Sequence, residues 1–227
     1  MRNYKHNWGR FLFVRWLLVS WTLQAIHVLD KSERMFRIFI ELIPALLLFA
    51  LWIIDACPLW LFVLLLFFVH TLFWLFDSTW LVGFREVYLK FRGKGIKSVI
   101  EFVDWSLVEL KACDNITAVT IYGSICRHMY HDRSDFDFRI VQERGRLKTY
   151  FKMIKLRIVA IWRYHIPIDL KLVDSVDFLK EEMREDEHPI VPYNRYASFY
   201  NEGDSYSQLK NNPSSYLKVN NIQISIS

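Results

Sequence analysis

"IYGSICRHMYHDRSDFDFRIV", residues Ile121–Val141, is the stretch from which the fold of this chain is read. An apolar run stops at Gly123-Ser124, a polar connection follows, and Asp135-Phe136-Asp137-Phe138 then alternates acid with aromatic. Alternate residues of a strand share a face and rise by about 3.3 Å each, so Asp135 and Asp137 project together, about 6–7 Å apart at the backbone, while Phe136 and Phe138 point to the opposite side. The phenylalanines enter a core and the carboxylates converge outside it. Two adjacent anions repel, and a shared proton or a bound cation relieves the repulsion.

Working outward, "ITAVTIY" before the glycine is a β-branched strand. Ahead of it, "IKSVIEFVDWSLVELKACD" spaces Val99, Ile100, Val103, Leu107 and Leu110 like one face of a helix. After the acids, "LKTYFKMIKLRIVAIWRYH" reads as a basic amphipathic helix and "IPIDLKLVD" as a strand, with Pro167 at its start where a missing amide donor does least harm. "DSVDFLKEEMREDEHPIVPY" adds a charged helix and a short strand. Beyond Arg195 the sequence is rich in Asn, Ser and Tyr without a sustained period and is expected to be a disordered tail. Strand, loop, strand, helix, strand in this span predicts an α/β or α+β domain with a mixed sheet.

Asp169, in "IPIDLKLV", falls on the face of its strand opposite Ile168 and Leu170. If that strand pairs beside the first, three carboxylates meet, enough to hold two metal ions about 3.5–4 Å apart, with the third acid the natural base. Carboxylate oxygens are hard ligands suited to Mg²⁺ or Mn²⁺, and Mg²⁺ is commonly shared with phosphate. Gly123-Ser124 suits phosphate too: the glycine lets backbone approach an oxygen, the hydroxyl and nearby amides donate hydrogen bonds, and Arg127 adds charge. His128 and His131 read as loop histidines, since no spacing partner completes a metal set. Cys57, Cys113 and Cys126 show no paired spacing, so neither a disulfide framework nor a zinc knuckle is expected.

The first third of the 227-residue chain is of another kind. Phe36 to Phe76 contains two apolar runs separated by Asp55-Ala56-Cys57-Pro58, a turn signal, and a bilayer-crossing helix needs about 20 apolar residues. Ala56–Phe76 is the better span; the first carries Arg37, Glu41 and Pro44. An α-helical transmembrane hairpin is therefore expected, and basic residues on both flanks place both termini and the soluble domain on the cytoplasmic side. "WGRFLFVRWLLVSWTLQAIHVLD" has Arg15 within its apolar part and no small-residue cleavage site, so an interfacial amphipathic helix is expected rather than a signal peptide. The formal net charge of +5 fits an anionic lipid surface. Lys152, Lys155 and Arg157 read as a solvated or lipid-facing helix face, so nucleic acid is not expected as a partner. Asn115-Ile116-Thr117 matches a glycosylation acceptor, a tripeptide without meaning on a cytoplasmic face.

In combination, a strand ending in Gly123-Ser124, a spacer of about ten residues, Asp135-Phe136-Asp137, and a later strand bearing Asp169 resemble the nucleotidyltransferase superfamily related to DNA polymerase beta, especially its minimal members. Arg127 falls where many minimal members carry arginine and Ser134 where they carry the serine before the first acid; His128 stands where a second glycine is common. The resemblance spans Ile96 to Tyr193. It implies that Asp135 and Asp137 bind a divalent metal, Mg²⁺ or Mn²⁺, that Asp169 assists the metal site or acceptor deprotonation, and that Gly123 and Ser124, with Arg127 and Ser134, form the nucleotide site.

The organisation expected is an interfacial segment at 1–35, a transmembrane hairpin at 36–77, an amphipathic linker at 78–95, a nucleotidyltransferase-like domain at 96–195 and a polar tail at 196–227. The function expected is transfer of a nucleoside monophosphate from a triphosphate to an acceptor hydroxyl or phosphate at the bilayer, on a lipid-linked or envelope-glycan acceptor. Two alternatives stay open: a metal-dependent glycosyltransferase using Asp-x-Asp for a sugar nucleotide, and an inactive nucleotide-sensing membrane subunit.

Overall fold

The computed structural model describes residues 14–15, 17–23, 30–77, 94–131, 134–145, 147–182, 187–196 and 204–218. Most of the expected interfacial segment and linker lies outside them. The chain divides into two compact units, Met1–Leu89 and Lys90–Ser227.

In the first unit, helix α1 (Lys31–Ile53) starts ahead of the expected Phe36 because Asp30 caps it, its carboxylate accepting from the Lys31 amide at 2.6 Å, with Glu33 in the first turn. Pro44 lies inside the helix. After a turn at Ile54–Pro58 comes α2 (Leu59–Asp77). With 23 residues, α1 meets the length and composition criterion for a membrane span; α2 has 19 residues, and its Leu59–Leu75 stretch is interrupted only by His70 and Thr71. The helices touch through Phe49–Phe62 and Trp52–Phe62 ring contacts and a 3.0 Å Glu41–His70 pair, while Leu47, Ile53, Trp60, Leu64 and Phe67 stand exposed. Arg37 is buried and pairs with Glu33, one turn earlier, at 3.2 Å.

The second unit is a mixed α/β domain built on a four-stranded sheet of order β3-β2-β1-β4. Helix α3 (Ile96–Lys111) leads into β1 (Ile116–Tyr122), which pairs antiparallel with β2 (Phe136–Gln142); α4 (Leu147–Trp162) crosses over to β3 (Ile168–Val173), parallel to β2; α5 (Val176–Glu182) and β4 (Ile190–Asn194) follow, the latter antiparallel to β1. Val99, Val103, Leu107 and Leu110 form the buried stripe of α3 as their spacing predicts; Phe102, rather than Ile100, completes it. Phe102 meets the edges of Phe136 and Phe138, which fixes the aromatic face of β2 toward the core. Ala118, Tyr122, Val141, Val173 and Leu179 cluster on the opposite, acid-bearing face.

Two expectations about polar residues change. Arg157 is buried and donates to the Leu170 carbonyl at 2.6 Å, so it ties α4 to β3 instead of facing solvent or lipid; Lys152 and Lys155 are held by Glu109. Asn115 is buried and bonded to Gln142 and Thr149, which removes it as a glycosylation acceptor on steric grounds alone. All three cysteines are free.

The segment expected to be a structureless tail is folded over residues 204–218. Ser205 and Gln208 form a capping box for α6 (Tyr206–Asn211), a 3₁₀ turn (Pro213–Tyr216) follows, and Leu209 and Tyr216 are buried. Tyr206 donates to Asp104 at 3.1 Å and Lys210 pairs with it at 2.8 Å, so the segment is fastened to α3.

Candidate functional site

The site is set by strand register. In the parallel β2–β3 ladder Asp137 lies opposite Asp169, and in the antiparallel β1–β2 ladder Tyr122 lies opposite Asp137. Cross-strand partners share a face, so the end of β1 brings Gly123-Ser124 to the same carboxylate. Asp135 sits just ahead of β2, close enough that its charge acts on Asp137. The structure thus brings together Gly123, Asp137 and Asp169, with Asp135 near enough to act on Asp137 and Ser124 following the turn.

Gly123 adopts a φ of +74°, and a Cβ built on it would stand 2.0 Å from Asp137 Oδ2. The turn therefore accepts glycine alone, both for its left-handed backbone and for the space the carboxylate takes. Ser124 Oγ is buried without a hydrogen-bond partner, and so is the Tyr122 hydroxyl on the other side of the glycine. Burial pushes the Tyr122 phenol up to about 12, which keeps it a neutral donor. Both hydroxyl oxygens are closed off from solvent, and Tyr122 packs among Ala118, Val141, Val173 and Leu179.

Arg139 is the residue that the sequence reading passes over. Its Nη2 donates to Asp169 Oδ2 at 2.8 Å and approaches Asp137 Oδ1 at 3.5 Å, and its Nη1 donates to the Asp169 carbonyl at 2.6 Å. The signal was present: Arg139 continues the two-residue alternation of Asp135 and Asp137 and shares their face. Burial pushes the Asp137 carboxyl up to about 7, opposed by Arg139 and reinforced by the neighbouring charges of Asp169 and Asp135. Asp169 moves the other way: burial alone would raise it, but Arg139 and Lys171 outweigh burial and hold it below the usual carboxylate range. Both carboxylates keep partial access to solvent, with side chains 22% and 31% exposed.

Two expected nucleotide residues have internal duties. Arg127 donates to the Gly123 carbonyl at 3.4 Å and pairs with Glu187 at 3.5 Å, bracing the turn. Ser134 is buried and its hydroxyl accepts from the His131 amide at 3.1 Å, closing the loop ahead of Asp135. His128, where the family pattern commonly has glycine, has a φ of +54°, stacks on Tyr216 at 4.4 Å, and contacts Asp204 Oδ2 at 2.9 Å and the Ser215 carbonyl at 3.0 Å. It is a fastening point for the 204–218 segment, as is the bridge from Tyr130 to Leu217. Cys126, with its thiol pushed up to about 12 by burial, is no nucleophile.

Among the described residues, no group of three or more His, Cys, Asp or Glu side chains is gathered tightly enough to hold a metal ion by itself. The oxygens present are nonetheless of the right kind for a hard cation that brings ligands of its own: carboxylates crowded on one face, a glycine turn against one of them and two unpartnered hydroxyls. They do not form a closed protein cage.

Comparison of the chain with protein-family models, with curated proteins and with solved structures finds no match.

Proposed function

We propose that this chain is a membrane-anchored, metal-dependent nucleotidyltransferase of the polymerase-beta-like type, moving a nucleoside monophosphate from a triphosphate to an acceptor hydroxyl or phosphate. The observation that carries this reading is the register: Asp169 lies opposite Asp137 on a parallel neighbour, at the mouth of a glycine turn that no other residue fits. A solvated Asp-x-Asp face requires neither the third acid nor the glycine.

In this reading Asp135, Asp137 and Asp169 would hold a Mg²⁺ or Mn²⁺ ion together with phosphate oxygens, and the ion would neutralise the triphosphate and favour ionisation of the acceptor hydroxyl. The residues do the rest. Gly123 lets the phosphate approach the backbone. Asp169, ion-paired with Arg139 at 2.8 Å, is a weak base, so its part is binding and orientation rather than the deprotonation that the family pattern suggests.

Anchoring is read from the first unit. Leu47 is 63% exposed, Trp60 68% and Phe67 58%, an apolar surface out of place in water and at home in lipid. With α1 and α2 inserted as a hairpin, the basic residues of both flanks lie on the cytoplasmic side, and a lipid-linked or envelope-glycan acceptor is the natural partner.

One observation favours a second reading, a nucleotide-sensing subunit without turnover: Arg139 already bridges Asp137 and Asp169. The deciding experiment is incubation of the detergent-purified full chain with α-labelled nucleoside triphosphates, Mg²⁺ and membrane extract. Label appearing in an acceptor, and falling at least about 10³-fold in Asp137→Asn and Asp169→Asn, is the expected result. Tight triphosphate binding without transfer would assign the sensing role; stabilisation by sugar nucleotides and not by triphosphates would overturn both.

A further inference from the structure

We propose that the outer face of α4 is a lipid-docking surface, by which the second unit rests on an anionic membrane surface. At about 100° per residue, Leu147, Phe151, Ile154, Ile158 and Trp162 fall on one narrow stripe of the helix. The opposite side carries Met153, Leu156 and Ala160 into the core. The stripe is left outside: Leu147 is 67% exposed, Phe151 53% and Trp162 77%, with Ile154 and Ile158 half-buried between them. Lys148, Lys152 and Lys155 run along one border of it, Arg163 follows the last turn, and Leu147–Trp162 contains no acid.

An apolar stripe bordered by long basic side chains is the composition of a helix that lies in the headgroup region, with its aromatic and aliphatic groups at the acyl boundary and its cations among lipid phosphates. Glu109 of α3 meets Lys152 at 3.6 Å and Lys155 at 2.9 Å, which holds these cations beside the stripe; one carboxylate against the whole border leaves it positive. A second copy of this chain fits the face poorly, because a two-fold contact would set cations against cations with no acid of α4 to answer them. Nucleic acid would leave the aliphatic Leu147, Ile154 and Ile158 without a partner. Anionic lipid answers both the charge and the apolar area. Because α3 packs Phe102 on the aromatic face of the sheet and α4 is tied to α3 through Glu109, the contact leaves the acid-bearing face uncovered. The inference therefore stands apart from the chemistry proposed for that face.

The test uses the full chain in lipid nanodiscs, nitroxide-labelled at Phe151→Cys or Trp162→Cys, with Asp177→Cys on α5 as the reference and the signal of the identically treated native chain subtracted. Electron paramagnetic resonance compares collision of each label with oxygen and with a water-soluble nickel chelate. In discs of phosphatidylcholine with about one-third phosphatidylglycerol, labels at 151 and 162 are expected to favour oxygen and the label at 177 nickel. In discs of phosphatidylcholine alone, or with Lys148→Glu and Arg163→Glu together, the labels at 151 and 162 should lose their protection from nickel. Nickel access at both positions in the anionic discs would overturn the inference. Dipolar broadening between labels would also overturn it, by assigning the face to a second copy. So would protection that is equal in both lipids and survives the charge reversals, by assigning the face to another part of the chain. Both labelled positions are exposed, so either one reads the face if the other variant fails to fold.

Discussion

A Cβ on Gly123 would stand 2.0 Å from Asp137 Oδ2, so the turn and the carboxylate share one space. Gly123→Ala must both adopt the left-handed backbone at φ +74° and push the acid aside. The expected cost is about 2–3 kcal/mol, read as a lowered melting temperature, together with loss of triphosphate binding. An alanine variant that melts like the native chain and still binds nucleotide would show that the turn and Asp137 are not coupled.

The Asp137 carboxyl, pushed up to about 7 by burial and by the charges of Asp169 and Asp135 against the opposing pull of Arg139, links stability to pH. A raised folded-state value means that the folded chain holds the proton more tightly than the unfolded chain. The contribution is complete below the unfolded value near 3.8 and is lost as pH rises through about 7. In the metal-free chain, Asp137 therefore adds about 1 kcal/mol of stability on going from pH 8 to pH 6. The check is the difference in melting between native and Asp137→Asn chains across that interval; parallel curves would contradict the shift.

Leu209 is fully buried and Tyr216 nearly so, in a segment whose composition predicts disorder. Leu209→Ala should cost about 2–4 kcal/mol, the range for a large-to-small change in a core. Limited proteolysis reads the same interaction directly: Leu209→Ala should speed cleavage between residues 204 and 218, whereas unchanged cleavage would mean that the segment is held by its polar contacts with Asp104 and His128 alone.

In the proposed hairpin, the turn around Asp55 is the far point from both flanks. Asp55→Cys in intact cells should react with a membrane-impermeant maleimide from outside. The paired replacement Val63→Arg and Leu64→Arg, at about 2.5–3.5 kcal/mol per charge near a helix centre, should shift the chain to the alkaline-extractable fraction. Labelling of position 55 only after lysis would place the turn inside.

Much of the domain is legible because its strands alternate. Phe136 and Phe138 against Asp135 and Asp137 announce both β2 and its two faces, and Asp169 between Ile168 and Leu170 does the same for β3. That the two strands are neighbours is a tertiary fact, so the meeting of Asp137 and Asp169 is legible only as a condition. Arg139 obeys the same alternation, yet its charge suggests an exposed position; what buries it is the pair of carboxylates it serves. Leu209 and Tyr216 show no period because a six-residue helix and a 3₁₀ turn are too short to display one, and their segment is fastened to surfaces far earlier in the chain, Tyr206 to Ile100 and Asp104 and Tyr216 to His128. The start of α1 is set by a cap, Asp30, upstream of its first long apolar run.

The parallel pairing of β2 with β3 has a consequence for biosynthesis. Parallel neighbours cannot be joined by a tight bend, and here the link is the whole of α4. A ribosome that has released the Gly123 turn and both early acids has made only part of the carboxylate cluster; Asp169 emerges about thirty residues later. In the proposed hairpin, the growing chain is tethered to lipid before Asp169 arrives to complete the cluster.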